Sequence, residues 1–246
     1  MNEDKIYNIL LNESEYDKYG LKLYNYLKIV TKLSYEHLKQ TDQGINVIIQ
    51  DKYAWAVIAM KLHILKPLKQ LVNLTGKTWY AGKRGPFYRR EYEIFLNGKQ
   101  MMVGGSYSVL LNVIDRSVYR KRELPFEELI MTDKQLCEIE TSFKEEISYT
   151  FLKEGKILEE HIDALGHTNH LNYMKFIYES LDDDLIKEVN TYNTLDLFFQ
   201  KEMIKDDVFT VNKGYLNNNL VFQIYNKTNG EVAFTLKLSN EEIKVC

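Results

Sequence analysis

The sequence predicts an α+β chain made of two tandem copies of one unit, each a helix wrapped by a curled antiparallel β-sheet. Three observations lead there. A stretch with helical periodicity is followed by four strand-like segments, and the same order of elements then recurs. Asn172-Tyr-Met-Lys-Phe176 echoes Asn25-Tyr-Leu-Lys-Ile29 at an offset of 147 residues. Asn229-Gly230 repeats Asn97-Gly98 between the last two strand segments of each copy.

Taken in order, residues 21–40 carry Leu21, Leu23, Tyr24, Leu27, Val30, Thr31, Tyr35 and Leu38 at three-to-four spacing without Gly or Pro, the pattern of an amphipathic helix. Strand-like segments follow at Tyr53–Leu65, Val72–Ala81, Phe87–Leu96 and Gln100–Asp115. Asn97-Gly98 marks a hairpin, since both residues accept positive φ. Residues 123–146 are acid-rich, and Leu124-Pro125 and Thr132-Asp133 read as a turn and a helix N-cap. In the second copy the helix stops near Leu181, and strands are expected at Leu195–Lys201, Val208–Leu216, Leu220–Asn226 and Val232–Leu238. The organisation is then 1–122 as a first domain, 123–146 as a linker and 147–246 as a second domain. A lone unit of this kind leaves a sheet edge unpaired, and a covalent second copy covers it.

Composition narrows the function classes. Hydrophobic residues make up 45% and charged residues 27% of the 246, a globular balance. The longest apolar run, Tyr53 to Met60, is eight residues long, well short of the about 20 needed to span a bilayer. The start, Met-Asn-Glu-Asp-Lys, lacks a secretory pattern. Cys137 and Cys246 give neither a disulfide framework nor metal spacing, so a reduced, cytoplasmic protein without a metal is expected. The net charge of −3 hides a basic stretch: Lys77 to Arg122 holds ten cations against three anions, so the remainder sums to −10. Such a stretch can steer an acidic partner. Nucleic acid is disfavoured, because the chain as a whole is acidic and carries no nucleic-acid motif.

One segment concentrates reactive groups: His161-Ile-Asp163-Ala-Leu165-Gly166-His167-Thr-Asn169-His170-Leu-Asn-Tyr173. Imidazoles, a carboxylate and carboxamides crowd into a turn ahead of a helix, whose backbone N–H groups can face a developing oxyanion. Gly166 would let that backbone approach a substrate. Asp163 can activate water or attack, and His167 can hold or relay a proton near neutral pH. His37, His63 and His161 read as helix-surface or strand residues.

This segment resembles the Asp-x-x-Gly-His-(Val/Thr)-Asn signature of hotdog thioesterases. Along nearly the whole chain, the acyl-acyl carrier protein (acyl-ACP) thioesterases are similar. Tyr16-Asp17, Trp55, Ile64-x-x-Pro67, Thr78-Trp79 and Arg89-Arg90-x-Tyr92 fall in that family's order, and Gln200-Lys201-Glu202 resembles its Arg-Arg-Glu-Cys motif. The resemblance implies two hotdog domains and hydrolysis of fatty acyl-ACP to free fatty acid, with water as co-substrate and no cofactor. It places the catalytic groups on Asp163, His167 and Glu202, with Asn169 and His170 as substitutes for a missing carboxamide. The family's Asn stands as Leu165 here, and its Cys as Met203. The resemblance also implies an acyl chain held by the first domain, with Trp55, Val57, Ala59 and Trp79 as wall candidates, and an acidic carrier docked on Arg120, Lys121 and Arg122. A role in fatty acid biosynthesis follows, and homo-oligomer formation stays open. Two alternatives stand beside hydrolysis of acyl-ACP: an acyl-coenzyme A thioesterase, and a non-catalytic acyl-thioester binding protein.

Overall fold

The structure, a computed structural model, describes residues 5–39, 52–121 and 131–242. Strand β1 (Tyr7–Ile9) leads into a small clip of β2 (Tyr16–Asp17) and β3 (Gly20–Leu21), then helix α1 (Leu23–Leu38). Four long strands follow: β4 (Tyr53–Ile64), β5 (Leu74–Arg84), β6 (Phe87–Leu96) and β7 (Lys99–Asn112). The second half repeats the series with β8 (Thr150–Lys156), α2 (His170–Tyr178), an added helix α3 (Asp183–Val189), and β9 (Thr194–Phe199), β10 (Val208–Leu216), β11 (Asn219–Asn226) and β12 (Glu231–Ser239). Arg122, Leu124-Pro125 and Cys246 lie outside the described residues.

All the long strands join one ten-stranded sheet in the order β1-β5-β6-β7-β4-β9-β12-β11-β10-β8. Read outward from the β4–β9 join, the halves are the same: first long strand, fourth, third, second, then the short leading strand. The predicted duplication is therefore a repeat of topology, and the edge that each unit would expose is used to pair β4 with β9, Lys61 opposite Asp196.

The five-residue echo has a physical basis. Asn25 Nδ2 donates to the carbonyl of Glu15 (2.7 Å), and Asn172 Nδ2 donates to that of His161 (3.0 Å). Each carbonyl belongs to the last residue of a 3₁₀ turn, Glu13–Glu15 or Glu159–His161. The same carbonyls accept from Lys22 N–H and Asn169 N–H. The repeated Asn thus fixes the entry angle of each helix.

Helices α1 and α2 pack side by side on one face of the sheet over a single continuous core. Leu27 and Val30 of α1 are fully buried there, each worth about 1.5–3 kcal/mol relative to exposure. The clip adds a second tie between halves: Asp17 accepts from Tyr178 of α2, and Lys18 pairs with Asp183 of α3 at 2.6 Å. None of the described helices is long and apolar enough to cross a membrane.

The sheet's outer face carries a strap, residues 131–146, with no helix, so the Thr132-Asp133 N-cap reading is corrected. Thr132 N–H instead bonds the carbonyl of Tyr80 (2.9 Å), and Met131 bridges the same residue. Glu91, fully buried, holds Arg89 and accepts from Leu136 N–H (3.0 Å), while Arg89 also donates to the carbonyl of Cys137. With Thr132 N–H, Leu136 N–H and the Lys134 and Cys137 carbonyls bonded to the strands, groups that a helix there would need are already engaged.

The turns correct one further expectation. Asn97-Gly98 is a tight hairpin with φ of 50° and 76°. At Asn229-Gly230 only the glycine has positive φ (77°), and the turn is wider, closing with Gly230 N–H on the carbonyl of Asn226 (2.9 Å). The tight turn of the second half lies at Asn217-Asn218 instead, with φ of 49° and 67°.

Candidate active site

The segment before α2 folds as a small closed loop. Ile162 bridges Thr168, Asp163 N–H bonds the carbonyl of His167 (2.8 Å), and Gly166 N–H bonds the carbonyl of Asp163 (3.0 Å). Gly166 sits at φ +80°, and a Cβ there would meet nothing within 4 Å. The glycine is required by the left-handed turn rather than by crowding. Asp163 Oδ1 accepts from Leu165 N–H (2.8 Å) and, more distantly, from His167 N–H (3.4 Å), so the carboxylate's own turn fixes its direction. Its Oδ2 makes no hydrogen bond among the described residues.

The amides of Leu165, Gly166, His167, Thr168 and Asn169 are all engaged inside this loop or with its neighbours. This departs from the expectation that they face an oxyanion: closing so short a loop consumes its own donors. Asn169 is the N-cap of α2, its side chain accepting from Leu171 N–H (3.0 Å). His170 turns toward α1, with Nε2 at 3.0 Å from Thr31 Oγ1. Burial lowers its pKa to about 4, against the opposing pull of Asp163, so the ring is neutral at pH 7.

Glu202 lies in the loop after β9 and meets this segment. Its Oε2 stands 3.1 Å from His167 Nε2, although the angle falls outside a hydrogen bond. Arg116, from the turn after β7 in the first half, places its guanidinium 3.5 Å from the same oxygen. Glu202 is half exposed, while the His167 side chain is mostly covered. Two side chains hold the Glu202 loop. Thr168 contributes both its N–H (2.8 Å) and its hydroxyl (2.9 Å) to the carbonyl of Met203. Tyr173, on the first turn of α2, accepts from Met203 N–H (3.2 Å) and donates to the carbonyl of Lys201 (3.4 Å).

The first half reproduces this scaffold without its chemistry. Leu21 N–H bonds the carbonyl of Leu68 (2.7 Å) as Thr168 N–H bonds that of Met203. Leu68 N–H reaches Tyr26 Oη (3.4 Å) as Met203 N–H reaches Tyr173 Oη. Read through these bonds, His167 corresponds to Gly20 and Glu202 to Pro67. Neither replacement can move a proton.

The other predicted residues are scattered. Trp55 lies on the helix side of the sheet, edge-on to Tyr88 (5.0 Å between centroids). Trp79 lies on the outer face, packed with Ala81, Val103 and Leu136 of the strap, its indole N–H donating to the carbonyl of Lys134 (2.9 Å). Strand alternation thus keeps Trp55 and Trp79 from lining one cavity. Arg120 and Lys121 are exposed just after β7. The basic stretch is smaller at the surface than in the sequence, because Arg89 and Arg90 are buried. Arg89 pairs with Glu91, and Arg90 donates to Thr78 (3.2 Å), lies 3.0 Å from His37 Nδ1 and stacks over Tyr80 (4.1 Å). His37 and His63 are buried too, and His37 is not a helix-surface residue.

Sequence reasoning missed Arg116 as a site residue, and also Thr168 and Tyr173. Thr168 fills the Val/Thr position of the thioesterase signature and Tyr173 stands beside Asn172 in the echo of Asn25-Tyr26, whereas Arg116 had no signal.

Comparison with known proteins adds the family. The acyl-ACP thioesterase N-terminal domain profile matches residues 2–124, half of the chain. Among curated protein sequences none matches. An acyl-ACP thioesterase from Bacteroides thetaiotaomicron superposes with a TM-score of 0.80 at 17% identity, over 98% of this chain and 100% of its own. A putative oleoyl thioesterase from Lactobacillus plantarum gives 0.75 at 14%, covering 96% of each chain. The 12:0-ACP thioesterase from Umbellularia californica gives 0.71 at 12%, again over 96% of each. These likenesses establish the double hotdog fold. With the match over residues 2–124, the chain belongs to the acyl-ACP thioesterase family, whose members hydrolyse thioester bonds.

Proposed function

We propose that the protein releases free fatty acid from acyl-ACP with all its chemistry in the second half, through Asp163, His167 and Glu202. The observation that carries this is the convergence of His167 and Glu202 at 3.1 Å on a loop ordered by Asp163, where the equivalent first-half scaffold holds only Gly20 and Pro67. Glu202, the more open carboxylate, takes a proton from water as the water oxygen bonds to the acyl carbon. The C–S bond then breaks, and His167 passes that proton to the departing thiolate. Asp163, its Oδ1 held by the turn, presents Oδ2 as an acceptor for the second hydrogen of that water. A retained His167–Glu202 contact favours an enzyme over a binding protein with a decayed site.

The division into 1–122, 123–146 and 147–246 fits this reading, with the first domain holding the acyl chain and exposed Arg120 and Lys121 docking the acidic carrier. Arg122 completes the basic run in sequence but lies outside the described residues. The reaction belongs to fatty acid biosynthesis in the cytoplasm. The test is turnover of purified protein on acyl-ACP and acyl-coenzyme A across chain lengths, alongside Asp163→Asn and Glu202→Gln. Hydrolysis of acyl-ACP that both variants lose supports the reading. Preference for coenzyme A overturns the carrier, and near-native rates in both variants overturn the site.

A further inference from the structure

The Tyr173 hydroxyl grips the backbone on both sides of Glu202, taking the N–H of Met203 and giving its proton to the carbonyl of Lys201. Its ring is buried against the touching pair Phe199 and Phe234, at 6.1 and 5.5 Å between centroids, and this packing holds it in place. Burial raises the pKa of the phenol well above its ordinary value, so the proton needed for the Lys201 bond stays in place. We propose that Tyr173 is the positioning residue for Glu202: by fixing the two peptide groups that flank it, the tyrosine aims that carboxylate at His167. The proposal rests on the reading of Glu202 given above.

The bond alone does not prove a role in the reaction, since Tyr26 makes its counterpart to Leu68 N–H in the first half, where Pro67 takes the place of Glu202. That counterpart is the internal control. Phe at either position keeps the ring and removes one hydroxyl from a buried site, so Tyr26→Phe reports what the clamp does for the fold alone.

The experiment measures kcat, KM and melting temperature for Tyr173→Phe, Tyr26→Phe, Glu202→Gln and the double variant Tyr173→Phe/Glu202→Gln on acyl-ACP. The expected result is a kcat for Tyr173→Phe lower by between about 10- and 100-fold with KM unchanged, as a displaced catalytic group gives. Tyr26→Phe should lower the melting temperature to a similar degree while keeping kcat. In the Glu202→Gln background the tyrosine change should add no further loss, because the group it aims is gone. A Tyr173→Phe enzyme with native kcat, one whose kcat falls no more than that of Tyr26→Phe, or a full additional loss in the double variant each overturns the proposal. Glu202→Gln keeping native turnover would instead overturn the assignment of Glu202 itself.

Discussion

Asparagine at 163 can still offer an amide oxygen to Leu165 N–H, so Asp163→Asn removes a charge while preserving the turn. Glu202 is half exposed, so Glu202→Gln buries nothing new. Both variants should fold as the parent does, with unchanged melting temperature, yet lose about 10²–10⁴-fold in kcat, the usual contribution of an acid–base group. Leu165 poses a different question, since the resemblance implies a carboxamide at its position. The side chain is partly exposed and is not among the residues packed into the core. An amide there would keep access to water and escape the penalty of about 1–3 kcal/mol for an unpaired buried polar group. Leu165→Asn should therefore leave the melting temperature nearly unchanged and raise or preserve kcat. A marked drop in stability would show that the leucine is a packing residue. At this scale Asp163 and His167 were legible as candidates from the residues alone, because they share a turn only a few residues long. Glu202 emerged only through resemblance. Arg116 stayed hidden, and the Asn-Tyr echo marked Tyr173 without its role, because both act through contacts that exist only once distant segments fold together.

The outer strap shows how an element is decided by what it lands on. Glu91 is a fully buried carboxylate whose pKa is raised by burial against the opposing pull of Arg89, and it joins β6 to the strap at Leu136. Glu91→Ala would leave the Arg89 guanidinium buried without its carboxylate, a change that typically costs about 3–5 kcal/mol. Denaturant unfolding of this variant should show a loss of that order; a loss under about 1 kcal/mol would mean that the clasp is incidental. Strands with alternating apolar residues, such as Phe87–Leu96 and Val208–Leu216, were legible to the residue. The leading strands were not. Tyr7–Ile9 is three residues long, and Thr150–Lys156 is a mostly exposed edge strand bearing Lys153, Glu154 and Lys156, with little apolar signal to read. Thr132-Asp133 misled for the opposite reason: a sound local helix signal was overridden by the sheet beneath it.

For the molecule as a whole, buried imidazoles and surface cations set how it responds to its solution. Burial lowers the pKa of His37 to about 3, that of His170 to about 4, and that of His63 below its ordinary value. Each is neutral in the folded chain, while an unfolded histidine binds a proton below about 6.5. Because the unfolded state then holds more protons, stability is fully present above about pH 6.5 and declines as pH falls toward about 4. Melting temperature should drop over that window, and His170→Asn should make the drop shallower. The surface cations bear on the carrier. Summed along the sequence, the stretch from Lys77 to Arg122 looks uniformly basic, but Arg89 and Arg90 are turned into the interior and cannot meet a partner. Of the cations that stay exposed, Arg120 and Lys121 lie in the connection that follows β7, as does Arg116, which reaches the Glu202 loop. On the reading proposed above, a carrier docked on that pair would sit on the connection that carries Arg116 to the Glu202 loop. Exposed charges act over about 8 Å at physiological salt, so this docking should weaken as salt rises. Arg120→Glu combined with Lys121→Glu should raise KM for acyl-ACP several-fold, leave kcat nearly unchanged and flatten the salt dependence, while KM for a short acyl thioester lacking the carrier stays put. A KM for acyl-ACP indifferent to both the charge reversal and the salt would move the docking site elsewhere on the molecule.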